Sequence, residues 1–349
     1  MRSFSPDIRS FSPDIRSLSP NIDNVTAHKR RQSGVALLIV MFVLTLMVLI
    51  AAEITFGFSL QMRRTASLQQ MEQARWYALS AEELAVKVLQ DEFEEKEETV
   101  NLGQNWATGE VTFPVDGGTI SGEIKDAQAC LNLNALHIAD KEGQSPAEMK
   151  VFQSLMEVLE IEAYQADVIA QSVRDWVDGD DSQGSGTGAE DSYYQSLPVS
   201  YLASNTSMRS ASELRAVKGV NSGIMRRIQP FVCALPATEM KININTLSPD
   251  HAAVLSALYL GELSVEQAQE VLEQRPEDGW KSVDEFVQQP SLSNFSAEGT
   301  NELMSVDSQY FVMDATASFA DSEVRIKSLL RREEENKFSV IRRQFGGLE

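Results

Sequence analysis

The chain has 349 residues, enough for two or three compact units, and its 51 acidic against 30 basic side chains leave a formal charge of −21. The first 34 residues are net basic, so about −24 falls on the remainder. A surface that anionic repels phosphate backbones and excludes nucleic acid as a partner; it suits a solvated head outside the cytoplasm, or one that binds cations. The three histidines (His28, His137, His251) stand at no metal or triad spacing. There is no Ser/His/Asp grouping, Walker loop, dinucleotide fingerprint or CxxC pair. The two cysteines, Cys130 and Cys233, can pair in an oxidising compartment or stand as two separate buried thiols.

In chain order, the first 22 residues repeat a heptad of the form Arg2-Ser3-Phe4-Ser5-Pro6-Asp7-Ile8. A proline in each unit rules out a continuous helix, so this segment reads as a disordered leader or as the product of a start codon placed too early. Lys29, Arg30 and Arg31 follow, then Ser33-Gly34 and an apolar run from Val35 to Ala52 that no charge interrupts before Glu53. The run meets the lower bound of a membrane-spanning helix, and its basic flank places the C-terminal side outside the cytoplasm. Three readings compete: a secretory signal peptide, whose apolar core is normally shorter; a plain signal anchor; and a leader cut before the helix, because Gly34 precedes the apolar run. That last order resembles the type IV prepilin leader, whose peptidase cuts after such a glycine and leaves the helix on the mature protein.

Beyond the span, Leu60, Leu68, Met71, Ala74, Tyr77, Ala78, Ala81, Leu84, Ala85 and Val88 recur at three- and four-residue steps, an amphipathic stripe. Gly34 to Phe93 is therefore expected as one helix of about 60 residues, roughly 90 Å long, which the acidic run Asp91–Glu98 ends. Val111, Phe113 and Val115, then Ile120, Gly122 and Ile124, alternate around Asp116-Gly117-Gly118, a hairpin. From Ser145 to Glu302 the period is helical, with Ala147–Leu159 (capped by Ser145-Pro146), Glu162–Val177, Ser212–Val220, Ser222–Ile228, Ser248–Leu260, Ser264–Gln274 and Ser282–Gln288 as helices. Ser212–Ile228 has the look of a helix-hairpin-helix, read here as a packing element. Lys241–Thr246 is strand-like, and its asparagines can bond backbone at a turn. Period two returns in Phe311–Phe319 and Val324–Leu330, with a turn at Asp321-Ser322, a charged turn over Arg331–Lys337 and a last strand Phe338–Phe345. The expected fold is α+β: a long N-terminal helix on an antiparallel sheet, interrupted by an all-α insertion of about 150 residues, which loop-closure entropy tolerates.

The stretch from Asp175 to Tyr194 is dense in carboxylates and carries Gly184, Gly186 and Gly188. Clustered carboxylates repel unless a cation neutralises them, and Ca²⁺ takes 6–8 oxygens. The spacing is not that of an EF-hand, since Gln183 and Ala189 fall where its glycine and twelfth-position ligand belong. A solvated acidic loop is the alternative, and paired acid and base for glycoside hydrolysis a weaker one.

Taken together, Gly34-Val35-Ala36-Leu37-Leu38, Gln73-Ala74-Arg75-Trp76-Tyr77-Ala78-Leu79, Leu131-Asn132-Leu133-Asn134, Asp175-Trp176-Val177-Asp178, Gly188-Ala189-Glu190-Asp191 with Tyr193-Tyr194, Ser212-Glu213-Leu214 and Ile242-Asn243-Ile244-Asn245-Thr246 resemble, in order and combination, the K-type minor pseudopilins of type II secretion systems (the general secretion pathway protein K family). The resemblance covers Gly34 to Phe345. It implies a pilin-like fold divided into a cytoplasmic leader (1–34), a transmembrane half-helix (35–55), the first part of the core (56–135), an inserted domain with two SAM-like parts (136–305) and C-terminal strands (306–349). It implies cleavage by the prepilin peptidase between Gly34 and Val35, N-methylation of Val35, a single-pass anchor in the inner membrane, and a head in the periplasm. It implies structural calcium on Asp178, Asp180, Asp181, Glu190 and Asp191, with Asp175 a further candidate, and no enzymatic activity. Its partners would be I-type and J-type minor pseudopilins and other pseudopilins, on a fibre that this chain caps and initiates for export of folded periplasmic proteins. One departure fits a tip position: the fifth residue from Val35 is Ile39, where most pilin-like proteins carry a glutamate. An unpaired carboxylate in the bilayer is costly, and a tip subunit has no neighbour above to pair with. The bulky insertion would likewise block subunits above it. A minor pilin of a type IV pilus or competence system, and a membrane-anchored periplasmic hydrolase, are the alternatives.

Overall fold

The computed structural model describes residues 34–94, 99–138 and 145–346. The heptad repeat, the basic cluster Lys29–Arg31 and the end of the acidic run (95–98) lie outside them. The chain divides into two units, Met1–Arg63 and Arg64–Glu349, and helix α1 (Val35–Glu94, 60 residues) begins in the first and ends in the second. Every described residue of the first unit is exposed. Its apolar helix is long enough to cross a membrane, which fits a single-pass anchor. Within it the hydroxyls of Thr45 and Thr55 donate to the carbonyls of Met41 and Ala51, at 2.8 and 2.7 Å, so neither needs water.

In the second unit, α1 buries Ala74, Ala78, Ala81, Glu82, Ala85, Leu89 and Phe93. Four alanines at four- and three-residue steps leave a narrow strip against which a sheet can lie closely. The stripe expected from periodicity is wider: Leu60, Leu68, Met71 and Leu84 are exposed. Periodicity marks which side chains share a face but not where along the helix the covering layer starts, and burial on α1 starts at Ala74.

That layer is a five-stranded antiparallel sheet. The hairpin β1 (Val111–Val115) and β2 (Gly118–Asp126) precedes a helical block. The block comprises β3 (Leu131–Asn132), α2 (Ala147–Val158), α3 (Ala163–Val177), α4 (Asp191–Gln195), α5 (Ser222–Ile228), β4 (Val232–Cys233), β5 (Ile242–Asn243), α6 (Ala252–Leu258), α7 (Val265–Glu273), α8 (Val283–Val287) and β6 (Met304–Ser305), with 3₁₀ turns between them. Then come β7 (Tyr310–Phe319), β8 (Ser322–Arg332) and β9 (Phe338–Phe345). Strand order is β1-β2-β7-β8-β9. β2 pairs directly with β7, from Gly118 opposite Phe319 to Asp126 opposite Phe311, so everything between them is an insertion into one sheet. On β7 the pleat sends Phe311, Met313, Ala315 and Ala317 to the α1 side. Tyr310 and Leu329 face the other way, onto Ala127 and Leu235 from the two ends of the first half of the insertion.

Several local expectations change in detail. Pro146, not Ser145, is the N-cap of α2, and no side chain caps it. Ser248–Leu260 splits into a 3₁₀ turn (Pro249–His251) and α6. Ser212–Val220 contracts to a 3₁₀ helix, Ala211–Ala216, closed by a Ser210–Glu213 capping box. Strand pairing in Lys241–Thr246 is confined to β5, after which Thr246 turns back onto the Asn243 carbonyl.

The insertion repeats one device. β3 runs parallel to β4, and β5 parallel to β6, so each half opens and closes with a short strand. Each opening strand carries Asn-x-Asn, whose amides stand in for backbone. Asn132 Oδ1 accepts from Leu235 N, and Asn134 donates to the carbonyls of Met208 and Leu235 while accepting from Met208 N. Asn245 exchanges two bonds with the backbone of Trp280. Asn243 reaches Val100 O, Ser308 Oγ and Asp126 Oδ2, the last also held by Thr246 and Ser308 hydroxyls. Four chain segments thus meet at the point where the insertion leaves and rejoins the sheet. Cys130 and Cys233 are disulfide-bonded beside β3 and β4, closing a separation of 103 residues. Loops of that length gain most from closure, on the order of 4–5 kcal/mol in the chain-entropy picture.

One charged residue lies inside the α1–sheet interface. Glu82 is 1% exposed; it accepts from Arg343 Nε at 2.8 Å, from the second guanidinium nitrogen, and from the Ser328 hydroxyl. The Arg343 side chain is 40% exposed, so the two partners are not equivalent. Arg343→Met strands a buried carboxylate and is expected to cost about 3 kcal/mol, the low end for a broken buried pair. Glu82→Gln leaves a solvated guanidinium and an acceptor for Ser328, and is expected to cost about 1 kcal/mol. Denaturant unfolding of the detergent-solubilised chain separates them; equal losses would overturn this account of the interface.

Candidate metal centre

The acidic stretch leaves α3 and enters α4. Asp175 lies in the last turn of α3 and is fully buried, and Asp178 is the C-cap, its N–H bonded to Arg174 O at 3.0 Å. Glu190 is the N-cap of α4: its carbonyl takes the N–H groups of Tyr193 and Tyr194, while its side chain caps nothing and turns inward, 5% exposed. Between them the loop folds back onto α3. A Cβ at Gly184 would lie 2.2 Å from the Arg174 guanidinium, and one at Gly188 would lie 2.0 Å from Asp175 Oδ2, so both glycines are needed for this approach. Gly186 has open space.

The loop is pinned from outside by residues that its composition does not mark. Asp167, earlier on α3, accepts from Thr187 Oγ1 at 2.8 Å and from Gln153 Nε2 at 3.0 Å. Lys218 donates to the carbonyls of Thr187 and Gly188, at 3.0 and 2.8 Å, over the Tyr193 ring. Lys218 is in the hairpin of the expected helix-hairpin-helix, and the structure commits it to the protein's own backbone. Trp176, Tyr194 and Tyr201 form the aromatic wall.

Of the six carboxylates named from sequence, three converge: Asp178, Asp180 and Glu190 each offer an oxygen, all within 4.8 Å of one another. Asp175 lies beside them, with Oδ1 accepting from Gly184 N at 3.2 Å. Asp181 and Asp191 are placed differently. Asp181 Oδ1 accepts from Asn205 Nδ2 at 2.6 Å, and Asp191 Oδ1 from Ala203 N at 2.9 Å.

The electrostatics of this cluster are strained. Burial, then Asp175 and Asp180, push the Asp178 carboxyl up to about 6. Burial, then Asp175, Asp178, Asp180 and Asp181, push Glu190 up to about 7. Burial also raises Asp175, against the opposing pull of the Gly184 N–H and Arg174. Asp175 Oδ2, Asp178 Oδ1 and both Glu190 oxygens are buried without a hydrogen-bond donor. Buried carboxylate oxygens are expected to be paired. Unpartnered buried oxygens on Asp178 and Glu190, two of the three residues that converge with Asp180, fit a hard divalent cation, and an all-oxygen donor set on a flexible loop favours Ca²⁺ over Zn²⁺.

Two family models, both described as "Type II secretion system (T2SS), protein K", match this chain, one over residues 129–237 and the other over 242–307. The two parts coincide with the two strand-closed halves of the insertion. Type II secretion system protein K of Aeromonas hydrophila is 41% identical over 327 residues, 92% of this chain and 99% of its own length. This chain belongs to that family. The Pectobacterium carotovorum member is 40% identical over 323 residues, 91% of this chain and 98% of its own. The crystal structure of the GspK-GspI-GspJ complex from enterotoxigenic Escherichia coli contains a chain that superposes with a TM-score of 0.75 at 36% identity, covering 82% of this chain and 100% of that one. The family's members are structural components of a secretion system and not enzymes, which removes the hydrolase alternative.

Proposed function

We propose that this chain is the minor pseudopilin at the tip of a type II secretion pseudopilus, where it initiates and caps the fibre. The observation that carries the reading is α1: apolar from Val35 to Ala52, exposed throughout the first unit, then packed through an alanine strip on a sheet that holds a large helical insertion. A pilin-type subunit needs that helix intact, so the leader must be removed ahead of it. Gly34 supports cleavage there. Nothing among the described residues lies within 4 Å of where its Cβ would be. Packing among the described residues does not demand glycine at this position, which is consistent with recognition by a peptidase as its role.

On this reading the prepilin peptidase cuts between Gly34 and Val35, Val35 is N-methylated, and the anchor remains in the inner membrane with the head in the periplasm. Ile39 removes the intramembrane carboxylate that a subunit with a neighbour above would use. The relative crystallised with GspI and GspJ makes the I-type and J-type minor pseudopilins the proposed partners, with the other pseudopilins below. Calcium is assigned to the cluster as a structural ion held by Asp178, Asp180 and Glu190 beside Asp175; when bound it neutralises their repulsion and closes the loop onto α3. The deciding experiment is N-terminal sequencing of the membrane-bound protein with and without the peptidase. A peptidase-dependent N-terminus at Val35 is expected; an uncut chain, or one cut near Ala52, would overturn the reading.

A further inference from the structure

Beside the carboxylate cluster is a segment of unusual composition. From Ser192 to Met208 no side chain is charged, in a chain that is 23% charged. Its tip is apolar and open to solvent: Val199 is 79% exposed and Leu202 57%. It has no regular secondary structure from Ser200 to Asn205, so its position depends on a few anchors. Tyr201 stacks on Tyr194 and donates to Ala216 O at 2.8 Å. Two further anchors are the carboxylates that do not converge: Asp191 takes Ala203 N, and Asp181 takes Asn205 Nδ2. Each is the immediate chain neighbour of a converging carboxylate, Asp180 for Asp181 and Glu190 for Asp191.

This arrangement couples two events. Without a cation, Asp178, Asp180 and Glu190 repel, the loop that carries them loosens, and the neighbouring Asp181 and Asp191 are displaced with it. With a cation, the three oxygens are drawn together and both neighbours are fixed where they hold the uncharged segment. We propose that Asp181 and Asp191 are tethers, through which cation occupancy of the Asp178–Asp180–Glu190 cluster sets the order of residues 197–205. The inference rests on the calcium assignment of the preceding subsection and goes beyond it in giving two of the carboxylates a different task. Linkage makes the coupling reciprocal: whatever immobilises the segment tightens the cation. Order gained by a loop on binding an ion elsewhere is a recurrent switching device.

Hydrogen–deuterium exchange on the full detergent-solubilised chain, in calcium and in chelator, tests it. In the wild type, calcium is expected to slow exchange both in 178–190 and in 197–205, the latter by about tenfold or more, the scale of a hydrogen bond to a charged group. In Asp181→Ala/Asp191→Ala, residues 178–190 should still be protected by calcium while 197–205 exchange fast in both conditions. Asn205→Gly, which removes the partner of Asp181 while leaving every carboxylate in place and accommodates the left-handed backbone at that position (φ 47°), should loosen 197–205 in the same direction. Two results would overturn the inference while leaving the calcium assignment standing: 197–205 indifferent to calcium in the wild type, or loss of protection over 178–190 in the double variant, which would make the pair ligands. Calcium protecting neither segment would overturn both.

Discussion

Gly34→Val is expected to leave the precursor at full length, its head folded, and to reduce secretion to the level of a strain lacking the chain. Two separable demands fall on this position. Among the described residues nothing packs where a side chain at Gly34 would project; it precedes α1 by one residue and accepts the first helical hydrogen bond, from Leu38 N at 3.3 Å. A β-branched residue there costs the fold little. A peptidase that recognises the small residue before the apolar run would be blocked outright, and an uncut leader of 34 residues would stay attached to the end of the helix that has to pack in the fibre. Electrophoretic mobility and N-terminal sequencing read the first effect, and export of folded periplasmic cargo the second. Normal processing and normal secretion of this variant would end the pseudopilin reading.

Removing calcium should have the second large effect, and its pH dependence has a definite sign. Glu190 and Asp178 are held at about 7 and about 6 in the folded chain, above the ordinary carboxylate values of roughly 4. A group whose folded pKa is raised leaves the native state binding more protons than the unfolded one, so stability falls as pH rises through that window. In chelator the chain should therefore melt at a lower temperature at pH 7.5 than at pH 5. Calcium at pH 7.5 should reverse this: at a hundred times its dissociation constant it adds about 2.7 kcal/mol, or a rise in melting temperature of about 5 °C or more. Glu190→Gln splits the two effects in opposite directions. With one charge fewer, the chelated variant should be more stable than the chelated wild type at pH 7.5, while its calcium affinity falls by at least about tenfold, the scale set by losing even an outer partner of a metal site. Scanning calorimetry with and without calcium reads both. A chelated wild type whose melting is flat between pH 5 and 7.5 would mean that the cluster's repulsion is relieved some other way.

Features carried by close neighbours along the chain are legible in the sequence alone. The uninterrupted apolar run from Val35 predicts α1, and the structure ends that helix at Glu94 against an expected end near Phe93. Alternation around Asp116-Gly117 predicts the β1–β2 hairpin, and alternation after Ser308 predicts β7 and β8. The acidic loop announces itself by composition. Each of these signals repeats every two to four residues, and local sterics and hydration suffice to read it.

What the sequence leaves open depends on pairs far apart in it. Its spacing from Ala78 and Ala85 sets Glu82 on the buried face of α1, where a lone carboxylate would be costly, and nothing near it in the sequence shows that Arg343 and Ser328, some 250 residues on, satisfy it. Two cysteines 103 residues apart allow a bond without implying one; the parallel pairing of β3 with β4 brings them together. Six carboxylates look equivalent in the sequence, and the fold sorts them: the end of α3 and the start of α4 converge on three, while Ala203 and Asn205 engage two others. Lys218 and Asp167, which pin the loop, carry no local mark at all. By itself the sequence determined the elements of this protein, because those arise from the backbone and its immediate neighbours. Only the tertiary structure decided which polar groups face one another, because a buried charge or amide is satisfied by whichever partner the packing delivers, however distant in the chain.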